Sequence, residues 1–264
     1  MINSSSLIIN QPNNLTGEIF IPGDKSITHR AIMLGSLSNG RLDIKNSLLS
    51  EDCKRTIDAF IKLGVDITID DTTISIYGKG LNALKPPCSI IDAGNSGTLA
   101  RLISGVLAVQ NFDSSISGDS SLVKRPMKRI IDPLTVAGAN ISSNDNLMPL
   151  SFKQSGKLKV INYTCLIPSA QIKSCLVLAS LFLDGTSIIK ETIKTRDHTE
   201  RMLQFLDYPI SIDDKIISIN GKGTIVAKDI RIPSDISSAS FLIVGALIAP
   251  NSNIILKSIG INPF

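Results

Sequence analysis

Four cations, Lys25, Arg30, Arg125 and Arg196, lie in or just after turns built from small, amide and hydroxyl residues. Gly23-Asp24-Lys25-Ser26 is the first such turn, and Arg30, four residues after Ser26, falls on the same helical face. Gly94-Asn95-Ser96-Gly97-Thr98 is the second, with glycines that let a ligand approach the backbone and Arg101 one turn further on. Ser169-Ala170-Gln171 is the third. Lys124-Arg125-Pro126 and Lys194-Thr195-Arg196-Asp197-His198 add cations from loops, and the proline holds Arg125 out of the helix, free to project into a cleft. A helix start exposes unpaired N–H groups and the positive end of the helix dipole. Three such starts with donors and hardly an acid besides Asp24 suit an anion, and Lys with Arg suits one carrying two or more negative charges, a phosphate or a carboxylate. Asp197 with Glu200 has capping-box spacing and is read as the N-cap of a helix starting at His198, not as a catalytic acid.

The elements that would hold these turns recur. Asp52 to Gly80 reads as a helix (Cys53, Ile57, Phe60, Ile61) that runs into Gly64, then alternating runs Val65 to Ile69 and Thr73 to Tyr77. Arg125 to Gly156 repeats this with Ile130, Ile131 and Leu134, a stop near Gly138, and runs Asn140 to Ser142 and Met148 to Phe152. His198 to Gly223 repeats it again with Met202, Leu203, Phe205 and Leu206, then Ile210 to Ile212 and Ile216 to Ile219 around Asp213-Asp214. In front of each comes a helix apolar almost all round, Gly23 to Ser38, Gly94 to Val109 and Ser169 to Leu183, with a fourth at Ser234 to Ala249. Such helices are buried, and at about 12 to 15 residues they are too short to cross a bilayer.

One unit is therefore buried helix, strand, outer helix and hairpin, an α/β (α+β) plan. The sharpest internal match, Ile21-Pro22-Gly23-Asp24-Lys25-Ser26 against Ile232-Pro233-Ser234-Asp235-Ile236-Ser237, spans three periods of about 70 residues. A fourth unit thus opens at Ile232 with its helix and one strand, Asn253 to Lys257, and stops at Phe264, so a longer protein is expected.

Composition narrows the function. Of 264 residues, 43% are apolar and 4% aromatic with no Trp, which excludes disorder and implies an aliphatic core. The net charge of +4 comes with no separate basic block and few rings for base stacking, so a small anion fits better than nucleic acid. Cys53, Cys88, Cys165 and Cys175 match neither zinc nor dithiol spacing and read as reduced, mostly buried thiols; His29 and His198 lie far apart, and no metal is expected. Met1 to Asn14 lacks a basic segment followed by an apolar one, which leaves the cytoplasm as the expected compartment.

Five ordered motifs, Gly23-Asp24-Lys25-Ser26-Ile27-Thr28-His29-Arg30, Gly94-Asn95-Ser96-Gly97-Thr98-Leu99-Ala100-Arg101, Lys124-Arg125-Pro126-Met127, Pro168-Ser169-Ala170-Gln171-Ile172-Lys173-Ser174 and Thr195-Arg196-Asp197-His198-Thr199-Glu200, closely resemble the 3-phosphoshikimate 1-carboxyvinyltransferase (EPSP synthase) family. The resemblance runs over essentially the whole chain. It implies six repeats in two domains, each with three-fold pseudosymmetry, and an active site in the cleft between them. Residues 23–232 would form one complete domain, with 1–22 and 233–264 belonging to a second, incomplete one. The implied reaction, in the shikimate pathway, moves the carboxyvinyl group of phosphoenolpyruvate to the 5-hydroxyl of shikimate 3-phosphate. It passes through a tetrahedral intermediate and loses phosphate, without metal or organic cofactor.

By the same resemblance Lys25, Ser26, Arg30, Ser169, Ala170, Gln171 and Arg196 hold shikimate 3-phosphate, and Lys25, Asn95, Gly97, Thr98, Arg125 and Gln171 hold or shape the place of phosphoenolpyruvate. The family's proton-transfer Asp and Glu belong to later repeats and have no counterpart among these residues; Asp235 is not given that role. The chain alone is therefore expected to be inactive or nearly so, with Lys25 in support, and the full-length protein to be a monomer without nucleic-acid or membrane partners. Alternatives are a non-catalytic anion-binding fragment and the related UDP-N-acetylglucosamine enolpyruvyl transferase, whose opening motif differs from Lys25-Ser26-x-x-x-Arg30. Trimming after about Asp229 and before about Ile21 is expected to improve solubility, because the apolar runs Ile236 to Ala249 and Asn253 to Ile261 lack repeats to pack on.

Overall fold

Left-handed turn residues cut the chain into its units. A computed structural model describes residues 14–156 and 158–264. Met1 to Asn13, where no targeting segment is expected from the sequence, lies outside the described residues. Strand β1 (Thr16–Phe20) leads to helix α1 (Lys25–Leu37), β2 (Asn39–Lys45), α2 (Glu51–Lys62) and the hairpin β3 (Asp66–Asp70)–β4 (Thr73–Lys79). The second unit is β5 (Ile91–Asp92), α3 (Gly97–Leu107), β6 (Ser114–Ser117), α4 (Lys128–Val136), β7 (Asn140–Asn144) and β8 (Leu147–Lys153). The third is β9 (Asn162–Cys165), α5 (Ala170–Ser180), β10 (Thr186–Glu191), α6 (His198–Phe205), β11 (Ile210–Asp213) and β12 (Ile216–Asn220). β13 (Ile230–Arg231), α7 (Ile236–Ile248) and β14 (Asn253–Lys257) follow. The outer helices α2 and α4 end on Gly64 and Gly138 at φ +87° and +101°. After α6 the same left-handed step falls to Asp207 at φ 54°, a residue type that tolerates it.

Three four-stranded sheets among the described residues share one strand plan: β13-β2-β4-β3, β5-β6-β8-β7 and β9-β10-β12-β11. In each, a short first strand pairs parallel with the second, and the rest is antiparallel. The hairpins and helices fall where periodicity predicts them, whereas β5, β9 and β13 escape it, because two to four residues cannot display a period. The first sheet takes its leading strand from the far end of the chain, since β13 pairs with β2 while β1 pairs with β14. The two crossing turns lock each other: the Asp24 amide donates to the Pro233 carbonyl (2.8 Å) and the Asp235 amide to the Pro22 carbonyl (2.9 Å).

Helices α1, α3 and α5 form the core, with Ala31, Ile32, Met33, Leu34, Leu102, Ile103, Val106, Leu176 and Val177 fully buried. Backbones of α3 and α5 touch at Gly105, where a Cβ would stand 2.1 Å from the Cys175 carbonyl oxygen, so any side chain there would force the helices apart. Cys53, Cys165 and Cys175 are buried and Cys88 is exposed. No helix among the described residues is long and apolar enough to cross a membrane.

Helix α7 is as apolar as its counterparts, yet Phe241 is 83% and Leu247 80% exposed. The trimming point needs correction, because cutting after Asp229 would remove β13 together with Ile232, whose amide donates to the Lys45 carbonyl (2.9 Å). A chain of residues 21–233 keeps that strand and discards the exposed face. We expect it to show less self-association by light scattering than the 264-residue chain; more would contradict the packing described here.

Candidate functional site

Helix α1 starts on Asp24, whose carboxylate accepts from the Ile27 amide (2.8 Å). The next residue, Lys25, is partly exposed and reaches Asp52 on α2 (Nζ to Oδ2, 3.1 Å). One turn on, Arg30 is buried and donates to the Ser26 carbonyl (2.9 Å), Thr199 Oγ1 on α6 (2.7 Å) and Ser174 Oγ on α5 (2.9 Å). Burial lowers its pKa to about 10, which leaves it cationic at neutral pH. Five guanidinium N–H groups are available and three meet protein acceptors, which leaves two without an acceptor among the described residues.

Ser96 caps α3 by accepting from the Leu99 amide (3.2 Å). Asn95 beside it is held at both ends: its amide donates to Asp119 (2.7 Å) and its carbonyl accepts from Arg125 Nη2 (2.6 Å). Asp119 also accepts from the Ser121 and Leu122 amides, so one carboxylate shapes the turn that delivers Arg125. These donors, the Asn95 amide first, hold the Asp119 carboxyl below the usual range. At Gly97 a Cβ would lie 3.1 Å from both Arg101 Nη1 and Arg125 Nη1, so the missing side chain is the space two guanidinium groups occupy against the helix start.

Ser169 caps α5, accepting from the Ile172 amide (3.4 Å), with Ala170 half-buried behind it. Gln171 bridges to α3, accepting from Arg101 (3.0 Å) and donating to Thr98 Oγ1 (3.3 Å). Burial, then the Arg125 and Arg129 charges, depress the Arg101 pKa, the expected response of a partly buried cation beside two others. The structure thus joins Asn95, Gly97, Thr98, Arg125 and Gln171 around Arg101, and joins Ser26 and Arg30 to α5 and α6. Lys25 contacts neither group directly, and Arg196 is exposed on the loop before α6. Arg196 lines a cavity of about 360 Å³ with Asp24, Ile27, His198 and Arg201.

Two expectations need correction. Asp52 and Asp119 add acids to a region that Asp24 alone seemed to supply, and both come from segments outside the helix-opening motifs. Asp197 precedes α6 but makes no side-chain cap; it accepts from Arg201 (2.8 Å) and Asn262 (2.7 Å). Glu200 turns inward instead of closing a capping box, and its carboxylate meets the buried Lys173 Nζ at 2.7 Å. Burial raises the Glu200 pKa against that pull. Lys173 escaped sequence reading because one cation in an apolar helix carries no periodic signal; two acids at loop ends, Glu191 and Glu200, are the only hint.

A sequence profile described as EPSP synthase (3-phosphoshikimate 1-carboxyvinyltransferase) matches residues 9–264. A 3-phosphoshikimate 1-carboxyvinyltransferase of Ruthia magnifica is 49% identical over 98% of this chain and 60% of its own length. That of Endomicrobium trichonymphae is 46% identical over 97% of this chain and 60% of its own length. The solved EPSP synthase of Acinetobacter baumannii superposes with a TM-score of 0.89 at 42% identity, over 96% of this chain and 58% of that one. The chain therefore spans about 60% of the length of the curated relatives it matches.

Proposed function

The chain belongs to the EPSP synthase family, and from that membership we propose that its helix starts form the substrate-holding half of an enolpyruvyl-transfer site. Residues 23–232 act as one domain, and 1–22 with 233–264 contribute to another; the β1–β14 pair and the interlocked turns at Pro22 and Pro233 support this division. Shikimate 3-phosphate is held by Lys25, Ser26, Arg30, Ser169, Ala170, Gln171 and Arg196. Phosphoenolpyruvate is held by Lys25, Gly97, Arg125 and Gln171, with Asn95 and Thr98 shaping its place. The 5-hydroxyl gives up its proton as its oxygen bonds to C2 of phosphoenolpyruvate and C3 gains a proton; phosphate then leaves as C3 loses one. Cations fixed before substrate arrives stabilise charge on the transferring groups without reorganisation. The groups that move those protons lie outside these residues. Cytoplasmic location and a monomeric whole protein belong to the same reading.

The observation that carries it is the Gly97 cradle, where the Arg101 and Arg125 guanidinium groups converge on the start of α3, each 3.1 Å from where a Cβ would stand. Calorimetry of the 264-residue chain tests it. Shikimate 3-phosphate binds, and Lys25→Ala weakens it about tenfold or more, the effect of one charge-assisted contact. Both substrates together release no inorganic phosphate. Equal affinity for unrelated anions contradicts the proposal, and phosphate release contradicts the absence of proton-transfer groups.

A further inference from the structure

Lys173 lies on α5 beside Ser174, and its side chain is 1% exposed. Its ammonium has three donors and three close oxygens: Glu191 Oε2 (2.9 Å), Glu200 Oε1 (2.7 Å) and the Thr195 carbonyl (3.0 Å). Glu191, at the end of β10, turns its second oxygen to Thr195 and accepts from that residue's amide (3.1 Å) and hydroxyl. Every polar group of Thr195 is thus bound to the Lys173–Glu191 pair. Arg196 is the next residue.

A buried cation between two buried carboxylates is a poor source of stability, because desolvating three charges offsets most of their attraction. The cluster also leaves Glu200 Oε2 without a hydrogen-bond partner. Its placement explains it better. Neighbouring residues on two helices divide the work: Ser174 and Thr199 bind Arg30, while Lys173 and Glu200 bind each other. The loop leaving β10 is tied at Thr195 to the helix pair that holds Arg30.

We infer that Lys173, Glu191 and Glu200 are positioning residues that clamp Thr195 and so set the Arg196 side chain in register with Arg30. The clamp touches no ligand and acts through Arg196. The inference rests on the reading that Arg196 holds shikimate 3-phosphate.

The test uses the 264-residue chain with Thr195→Val, Thr195→Ser, Lys173→Met and Arg196→Ala, followed by amide hydrogen exchange and calorimetry with shikimate 3-phosphate. Thr195→Val leaves Lys173 paired and removes one hydrogen bond to Glu191, so it lowers the melting temperature by only about 3–6 °C and the chain stays folded. It speeds exchange at 195–196 relative to α5 and α6 and weakens binding about tenfold, as expected for losing one hydrogen bond to a charged group. Thr195→Ser, which keeps the hydroxyl, restores both. Lys173→Met loosens the same amides further and weakens binding as much as Arg196→Ala. Unchanged exchange in Thr195→Val and Lys173→Met overturns the clamp. Faster exchange with undiminished affinity overturns its link to Arg196. A parent chain that does not bind contradicts the substrate assignment, while exchange still decides the clamp.

Discussion

Arg30→Ala abolishes shikimate 3-phosphate binding and lowers stability by about 2–4 kcal/mol, the range for loss of a buried, hydrogen-bonded charge. Arg30 is 4% exposed and is where α1, α5 and α6 meet through Ser26, Ser174 and Thr199. Alanine leaves the Ser174 and Thr199 hydroxyls to each other at 2.7 Å, so part of the network survives. It also leaves a guanidinium-sized void and removes a cation that attracts buried Glu200, which keeps its ion pair with Lys173. A chain of this size should melt roughly 5–12 °C lower. Arg30→Lys keeps a charge but cannot fork between two hydroxyls, so it falls between the two. Thermal unfolding with calorimetry checks this; an alanine variant that melts like the parent and still binds would show that Arg30 is neither a joint nor a ligand.

Acid weakens the fold through His29. The ring is fully buried, with Nδ1 2.6 Å from Thr56 Oγ1 and Nε2 without a partner. Burial lowers its pKa from 6.5 to about 4; Asp52 opposes the shift, and Arg30 and Lys25 add to it. The sign follows from which state takes the proton. Between pH 6.5 and 4 the unfolded chain binds it and the folded chain does not, so stability falls as pH falls, by about 2 kcal/mol at pH 5 and about 3 at pH 4. Below the folded pKa the loss stops growing. His29→Phe removes the titration and the unpartnered nitrogen, and Thr56 keeps the Asp52 carbonyl (3.4 Å). Urea unfolding at pH 7 and pH 5 should show the parent losing about 2 kcal/mol more than the variant. Equal losses would mean that His29 is not held neutral.

Much of this was readable along the chain. The helices α1 to α7 lie where apolar periodicity and turn chemistry predict them, since both are local properties. Asp24, Ser96 and Ser169 each cap the helix they precede, so the three helix starts could be recognised as donor-rich turns. Local reading failed at α6, where Asp197 and Glu200 have the spacing of a reciprocal cap. Arg201, Asn262 and Lys173 outcompete the backbone for those carboxylates, and two of the three are far away in sequence.

The sequence by itself determined the repeat, the helix starts and the cations they carry, because each is encoded within a window of a dozen or so residues. Only the tertiary structure decided which of those groups share a site. Arg30 meets Thr199 across 169 positions and Arg101 meets Gln171 across 70, and no local rule sets such pairs. They depend on how closely α3 can approach α5, which the bare backbone at Gly105 permits. They depend equally on β13 returning to complete the first sheet, a pairing of two residues too short to announce itself. Packing, acting between segments that are strangers in sequence, brings Arg125 beside Arg101 and sets Arg30 on the two helices that carry Lys173 and Glu200.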